Sequence, residues 1–437
     1  MEEIELPTNK IGQGNFGSVF ISDDRTKVYK AMTSQNKISS GLVTDWDENA
    51  VIQNVTRKTL PFVFEAKYTS LLDHINVSKT FGAFSSNDIY GITTEPLSIS
   101  LDKILYSGTS KRLNYEQIKS LTCQLFSAVH YLGQVGIVHR DIKPSNMMLN
   151  DSGILKLIDF GEVAPVSGFT QETDSGTVFY KPPEFILGSN DYDFKNSFDV
   201  WGAGATTLEL FLSYPRFSSP GISVGDNSAS GQDEGVMKLV MECFPVYERI
   251  LVTNDGEEVT DTVKEISNST DYIGGEDVSP EGKFKALMHN RFKRPSDMDD
   301  DELNSLVDFL VGSIFVFDRT KRNPKYIDHE YLTKYRKVKG DVSDEKEKIS
   351  EFTKKVKEFA DDVMSANEFG EEPKFPFSYT TKDGKELQPG YDSGGNYVLK
   401  VKKKKKWVKY GTHGQEGKDA YYRINDEFVN GFIRLLE

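Results

Sequence analysis

Cysteine is nearly absent: Cys123 and Cys243 are the only two in 437 residues, and they lie far apart without metal-ligand spacing. That argues against a disulfide scaffold and a cysteine-based zinc site, and it points to a reducing compartment. No apolar run approaches the roughly 18 residues that a membrane span needs. The opening stretch MEEIELPTNKIGQG lacks both the basic and the apolar region of a secretory leader, so the mature chain is expected to start at or near Met1. His413 and the other five histidines show no metal spacing. No internal repeat is apparent. Positive charge is in deficit: 53 Lys and Arg against 67 Asp and Glu leave a net charge of -14, which disfavours binding nucleic acid or anionic membrane through the whole surface.

The chain is long enough for two or three domains, each with its own core. Residues 5–95 read as short strands, with patterns in KVYKAM and DIYGITTEP, around one helix. In that helix Phe64, Tyr68, Leu71, Leu72 and Ile75 form one apolar stripe. From residue 112 the pattern turns helical: Ile118, Leu121, Leu125 and Val129 share a face of Tyr115 to Leu132, and 199–212 is almost continuously apolar. Residues 215–300 are rich in Gly, Ser and acids and read as a long insertion with little regular structure. After Tyr335 a charged stretch reads as a linker. Ile349, Phe352, Val356, Phe359 and Val363 then mark an amphipathic helix, with Asp344 and Glu347 spaced as a capping box. Beyond it a hairpin signal at Lys382 to Lys385, alternation at Tyr397, Leu399 and Val401, and a closing helix through Phe428 to Leu436 suggest a small α+β module.

Gly12, Gly14 and Gly17 stand in a G-x-G-x-x-G-x-V frame flanked by Ile11 and Val19. Missing side chains let backbone N–H groups lie close over phosphate oxygens. A dinucleotide site or a plain hairpin turn fits the same spacing. Lys30 follows on a strand, where its ammonium can reach the α- and β-phosphates or simply meet solvent. Glu65, in the predicted helix, offers the carboxylate that would orient it. The most specific string is IVHRDIKPSNMMLN followed by LKLIDFGE. Phosphoryl transfer needs a carboxylate to orient a hydroxyl and accept its proton, a role that suits Asp141. It also needs oxygen ligands for magnesium, which Asn146 and Asp159 provide, while Lys143 can neutralise charge on the moving group.

With these strings the chain resembles the eukaryotic-type protein kinase family over residues 6–335. The resemblance extends to GTVFYKPPE, with Thr177 and Tyr180 in the substrate-binding loop and Glu184 closing it, to Asp199, and to Arg322, which pairs in this family with the acid at Glu184. It implies an α+β, bilobal kinase fold: a small antiparallel β lobe with one helix at about 1–95, a larger helical lobe at about 96–335, and ATP in the cleft. A C-terminal α+β extension at 336–437 would follow, and its removal is expected to leave a soluble domain. The same resemblance places Thr94 as gatekeeper and gives Glu95 and Leu97 backbone contacts to adenine. It implies ATP and Mg2+ as cofactors, with Mn2+ as an alternative, and protein as substrate. Lys143, two places after Asp141, looks like a serine/threonine kinase, and the region from PPEFILGSNDY onward is similar to the cyclin-dependent and mitogen-activated group. A pseudokinase-like scaffold, a dual-specificity kinase and a small-molecule kinase are the alternatives; the first is disfavoured by intact Lys30, Asp141, Asn146 and Asp159, and the last by the full substrate segment. Glu162, directly after Gly161, departs from the family pattern.

Arg140, beside Asp141, is similar to the arginine that often needs an anion in the activation segment. Thr173 is the expected phosphate acceptor, with Thr170 and Ser175 as runners-up; Glu172 or Asp174 are the built-in alternative. The run Lys402 to Lys406, with Trp407 beside it, has three readings: a nuclear localisation signal, a patch for nucleic acid or an acidic partner, or the solvated edge of a strand. The expected location is the cytoplasm, with the nucleus as the second option.

Overall fold

The structure, a computed structural model, describes residues 2–14, 17–34, 62–86, 89–106, 113–166, 176–177, 180–182, 197–212, 294–315, 325–364, 379–380, 384–391, 397–403 and 406–409. The expected closing helix at Phe428 to Leu436, most of the insertion, Cys243 and His413 lie outside these residues. The chain divides into two compact units. One comprises Met1–Leu72, Lys79–Pro96 and Asp344–Glu437; the other comprises Asp73–Ser78 and Leu97–Ser343.

In the first unit, strands β1 (Glu2–Glu3), β2 (Lys10–Gly14), β3 (Gly17–Ile21), β4 (Val28–Ser34), β5 (Thr80–Ser86) and β6 (Ile89–Thr94) form one sheet in the order β1-β5-β6-β4-β3-β2. Five strands are antiparallel, and the short β1 adds to β5 in parallel. Gly91 on β6 is there for space: a Cβ would sit 2.3 Å from the Phe84 ring and 2.4 Å from the Lys30 carbonyl. Helix α1, residues 62–71, carries Phe62, Val63, Phe64, Glu65, Ala66 and Tyr68, all buried. Of the predicted stripe, Phe64 and Tyr68 are buried and Leu71 is half-buried in the helix; Leu72, just past its end, is buried, and Ile75, further on, is exposed.

The second unit is built around helix α3. Before it come β7 (Ile99–Ser100) and α2 (Leu101–Tyr106). Helix α3 spans Tyr115–Val135, opened by a capping box between Asn114 and Gln117 and closed by Gly136 at φ 90°. Ile118, Leu121, Leu125 and Val129 are buried, as the spacing predicts. Short strands β8 (Ile137–Val138), β9 (Met147–Leu149), β10 (Leu155–Leu157) and β11 (Ala164–Pro165) follow, then α4 (Ser197–Leu212) and α5 (Asp300–Phe309). Phe126, Phe309, Tyr326 and Tyr331 pack ring on ring beneath α3. The charged stretch after Tyr335, expected as a linker, is fastened to this unit: Lys337 donates its N–H to Ser127, and Lys339 pairs with Asp73.

Helix α6 (Ser343–Met364) belongs to the first unit, apart from its opening residue. It begins two residues earlier than the proposed capping box requires. Asp344 is therefore inside the first turn, paired with Lys348, and Asp341 accepts the Ser343 N–H instead. Ile349, Phe352 and Val356 are buried, and the Phe352 ring lies edge-on to Phe64 and Tyr68 of α1. Periodicity reveals an apolar face but not what covers it. Strands β12 (Tyr379–Thr380), β13 (Glu386–Tyr391), β14 (Tyr397–Lys403) and β15 (Lys406–Lys409) make a separate antiparallel sheet in that order. Gly384, at φ 78°, stands before β13, where the hairpin signal was read.

Candidate active site

The sheet unit supplies a paired lysine and glutamate. Lys30 sits in β4 between Val19 on β3 and Ile92 on β6. Its Nζ lies 2.7 Å from Oε1 of Glu65, whose side chain is only 3% exposed. A carboxylate so far from water needs a cationic partner, and the strand lysine supplies one. Upstream, Gly12 faces Val19 and Gly14 faces Gly17 across the β2–β3 hairpin, while Ile11 is exposed at its base. Thr94 ends β6 opposite Val28 and Thr80. Glu95 follows, donating its N–H to the Lys79 carbonyl at 3.0 Å and accepting the Lys79 N–H on its carboxylate at 2.8 Å.

The helical unit holds the second group, and its foundation is Asp199 in the first turn of α4. This fully buried carboxylate accepts the N–H of His139 at 2.6 Å and of Arg140 at 2.8 Å. Burial pushes its carboxyl above the ordinary value, against the pull of His139 and those two bonds. His139 Nε2 meets the Ile158 carbonyl and Nδ1 meets the Asp141 N–H, so both ring nitrogens are held and the ring's orientation is fixed. Arg140 and Asp159 both take positive φ, 68° and 62°, a conformation that persists in such residues only when the surroundings enforce it.

Asp141 is where the predicted residues converge. Its Oδ2 meets Lys143 Nζ and Asn146 Nδ2, each at 2.7 Å. Its Oδ1 accepts the Thr177 N–H at 3.0 Å and the Thr177 hydroxyl at 2.7 Å, and Lys143 Nζ donates to that same hydroxyl at 2.7 Å. Burial alone would raise the Asp141 carboxyl, but Lys143, Thr177 and His139 together hold it below the ordinary range. Gly176 brings Thr177 in: φ is 86°, and a Cβ there would lie 2.4 Å from the Arg140 carbonyl.

Asn146 directs its amide nitrogen at Asp141, through both the carboxylate and the backbone carbonyl, so its oxygen is the atom that a cation would meet. With the Asp159 carboxylate that donor set is all oxygen, the kind Mg2+ takes. Among the described residues no group of three or more His, Cys, Asp or Glu could hold a metal ion.

Arg140 is 3% exposed, and its Nε donates to the Glu162 carbonyl. Burial lowers its affinity for a proton, and the charges of Glu162 and Asp199 act the other way. Thr170, Thr173, Ser175, Glu184 and Arg322 lie outside the described residues. Leu97 opens the second stretch of the helical unit and is half-buried. Lys402 and Lys403 end β14 and Lys406 opens β15, the edge strand of its sheet; Lys404 and Lys405 are outside the described residues.

Sequence reasoning missed three partners. Thr177 was placed in the substrate loop but not on Asp141. Glu162 was seen only as an oddity. Glu209, buried on α4, accepts from both Tyr106 and Tyr180 hydroxyls, a link that nothing in its helical spacing announces.

Residues 7–268 match the family described as protein kinase domain. The chain is 39% identical over 126 residues to a probable cell division protein kinase of Encephalitozoon cuniculi, covering 29% of this chain and 39% of that protein. It is 32% identical over 213 residues to an Aurora kinase of Yarrowia lipolytica, covering 48% and 53%. Against the mitogen-activated protein kinase hog1 of Trichoderma harzianum it is 27% identical over 341 residues, covering 77% and 81%. The chain thus spans about half or less of the first two relatives, 39% and 53% of their lengths.

Proposed function

The chain belongs to the protein kinase family, and on that premise we propose that it transfers the γ-phosphoryl group of ATP to serine and threonine hydroxyls of proteins. The observation that carries this reading is the three-way contact of Asp141, Lys143 and Thr177. A substrate hydroxyl oriented by Asp141 gives its proton to that carboxylate as its oxygen attacks the γ-phosphorus. The bond to the bridging oxygen breaks, and ADP leaves with that electron pair.

Carboxylate geometry constrains how the substrate enters. Two oxygens offer about four acceptor positions, and Thr177 N–H, Thr177 O–H, Asn146 and Lys143 fill them. One donor must yield to the substrate hydroxyl. Lys143 is the one free to swing, because its ammonium rides on a flexible stem, and its new position would be the phosphoryl group whose charge it neutralises. The depressed carboxyl value keeps Asp141 ionised and ready at neutral pH.

In the sheet unit, Lys30, oriented by Glu65, would neutralise the α- and β-phosphates, and the glycine hairpin with Ile11 and Val19 would lie against the nucleotide. Glu95 and Leu97 would hold adenine through backbone groups. Asn146 and Asp159 would hold Mg2+, or Mn2+ in its place, which when bound offsets phosphate charge. No described helix is long and apolar enough to cross a membrane. β15 is an edge strand of its sheet, and an acidic segment of a protein partner would be the complement of the lysine run at Lys402 to Lys406.

A peptide array with radiolabelled ATP tests the reading. Label on Ser- and Thr-containing peptides is expected; label confined to tyrosine, or none, would reject it.

A further inference from the structure

Helix α1 is about three turns long, too short to hold itself in water, and packing on nearly every side fixes its direction. Phe62 meets Tyr90 of the sheet at 6.3 Å between ring centroids. The opposing support comes from the C-terminal helix. Phe352 of α6 lies 6.3 Å from Phe64 and 5.1 Å from Tyr68, edge-on to both. Phe64 and Tyr68 are one turn apart on a single face, and they flank Glu65, so the ring bears on the turn that presents the carboxylate to Lys30. Next to that contact, Thr353 Oγ1 donates to the Ile349 carbonyl at 2.8 Å. Its remaining role is acceptor, so the Tyr68 hydroxyl, 2.8 Å away, is the donor. Burial keeps that phenol protonated, and the bond is available at any working pH.

We propose that α6 is a built-in positioning element for catalysis, in which Phe352 and Thr353 grip Phe64 and Tyr68 of α1 and so hold Glu65 on Lys30. The inference rests on the kinase reading and adds to it that the segment after the family's own region sets the lysine–glutamate pair. Edge-to-face ring contacts add directional preference to the apolar burial, and the Tyr68–Thr353 bond fixes the register of one helix along the other. Phe352 is fully covered, so the docked arrangement is the one in which the pair is formed.

The test is a double-variant cycle in the full chain, read as kcat/KM for MgATP with a peptide found on the array. Phe352→Ala should lower kcat/KM about tenfold, Phe352→Leu should restore most of it, and Phe352→Ala combined with Glu65→Gln should be no worse than Glu65→Gln alone, within about twofold. A role confined to stability would instead give losses that multiply. Thr353→Val, isosteric and still foldable, should lose about threefold with Glu65 present and nothing with Glu65→Gln. Wild-type kcat/KM in Phe352→Ala, or multiplying losses in both pairs, overturns the proposal. If the wild type labels no peptide, the kinase reading fails, and calorimetric titration with MgATP decides the coupling separately. There Phe352→Ala and Glu65→Gln should weaken binding by the same factor and the pair no further, whereas unaltered or multiplied effects reject it.

Discussion

Thr177 grips Asp141 twice through the same oxygen, with its backbone N–H at 3.0 Å and its hydroxyl at 2.7 Å. The hydroxyl also receives Lys143, so a single γ-oxygen links acid and base of the site. Thr177→Val keeps the backbone bond and the side-chain shape but removes the relay. Turnover should fall about tenfold while Thr177→Ser stays within about threefold of wild type, since one hydrogen bond to a charged group is at stake. Equal activity in Thr177→Val would show that the hydroxyl is a bystander.

Asp141→Asn should still bind nucleotide yet lose turnover by about 100- to 10,000-fold, the usual weight of a general base. Single-turnover rates beside an ATP titration separate the two effects. Unchanged turnover would remove Asp141 from its role.

Arg140 leads to a prediction about control. Its guanidinium already meets the Glu162 carbonyl, and the Glu162 carboxylate acts on it electrostatically. If a phosphate on Thr173 adds to this, Thr173→Ala lowers activity about tenfold or more and Arg140→Ala then adds no further loss. Mass spectrometry of active enzyme checks it: full activity with Thr170, Thr173 and Ser175 unmodified would assign the whole anionic role to built-in acids such as Glu162.

Acid should destabilise the helical unit in two stages. Burial holds His74 and His130 below the ordinary histidine value of about 6.5, and although burial raises the Asp141 carboxyl, its contacts with Lys143, Thr177 and His139 together hold it below the ordinary carboxylate value of about 3.9. In each case the unfolded chain takes up protons more readily, so stability is complete above the unfolded value and is lost as pH falls through the folded one. We expect Tm to decline first below about pH 6.5 and again below about pH 4. Replacing both histidines by Phe should flatten the first decline; a Tm that rises on acidification through this window would contradict the assignment.

Much of this was legible in the sequence because local spacing records it. The α3 stripe, the α4 run and the strands through KVYKAM and DIYGITTEP follow from local pattern, and Asp141, Lys143 and Asn146 sit in one short string that folds back on itself. The Lys30–Glu65 pair was expected from chemistry alone and is formed at 2.7 Å. What spacing does not record is which surfaces meet across hundreds of residues. Tyr68 and Thr353 are 285 positions apart, so the same apolar repeat that announced α6 was silent about α1. The start of α6 was misplaced for a related reason: Asp341 and Asp344 both precede helical pattern, and only backbone geometry distinguishes the residue that receives the Ser343 N–H.

The central claim is that this chain moves a phosphoryl group from ATP to protein hydroxyls through Asp141. The most direct measurement is phosphorus-32 transfer from γ-labelled ATP to a Ser/Thr peptide library, run side by side for the wild-type chain and Asp141→Asn. Label on serine or threonine with wild type, and a loss on the order of 100-fold or more with Asp141→Asn, is the predicted result. Equal labelling by both proteins, or none by the wild type with MgATP bound, would contradict it.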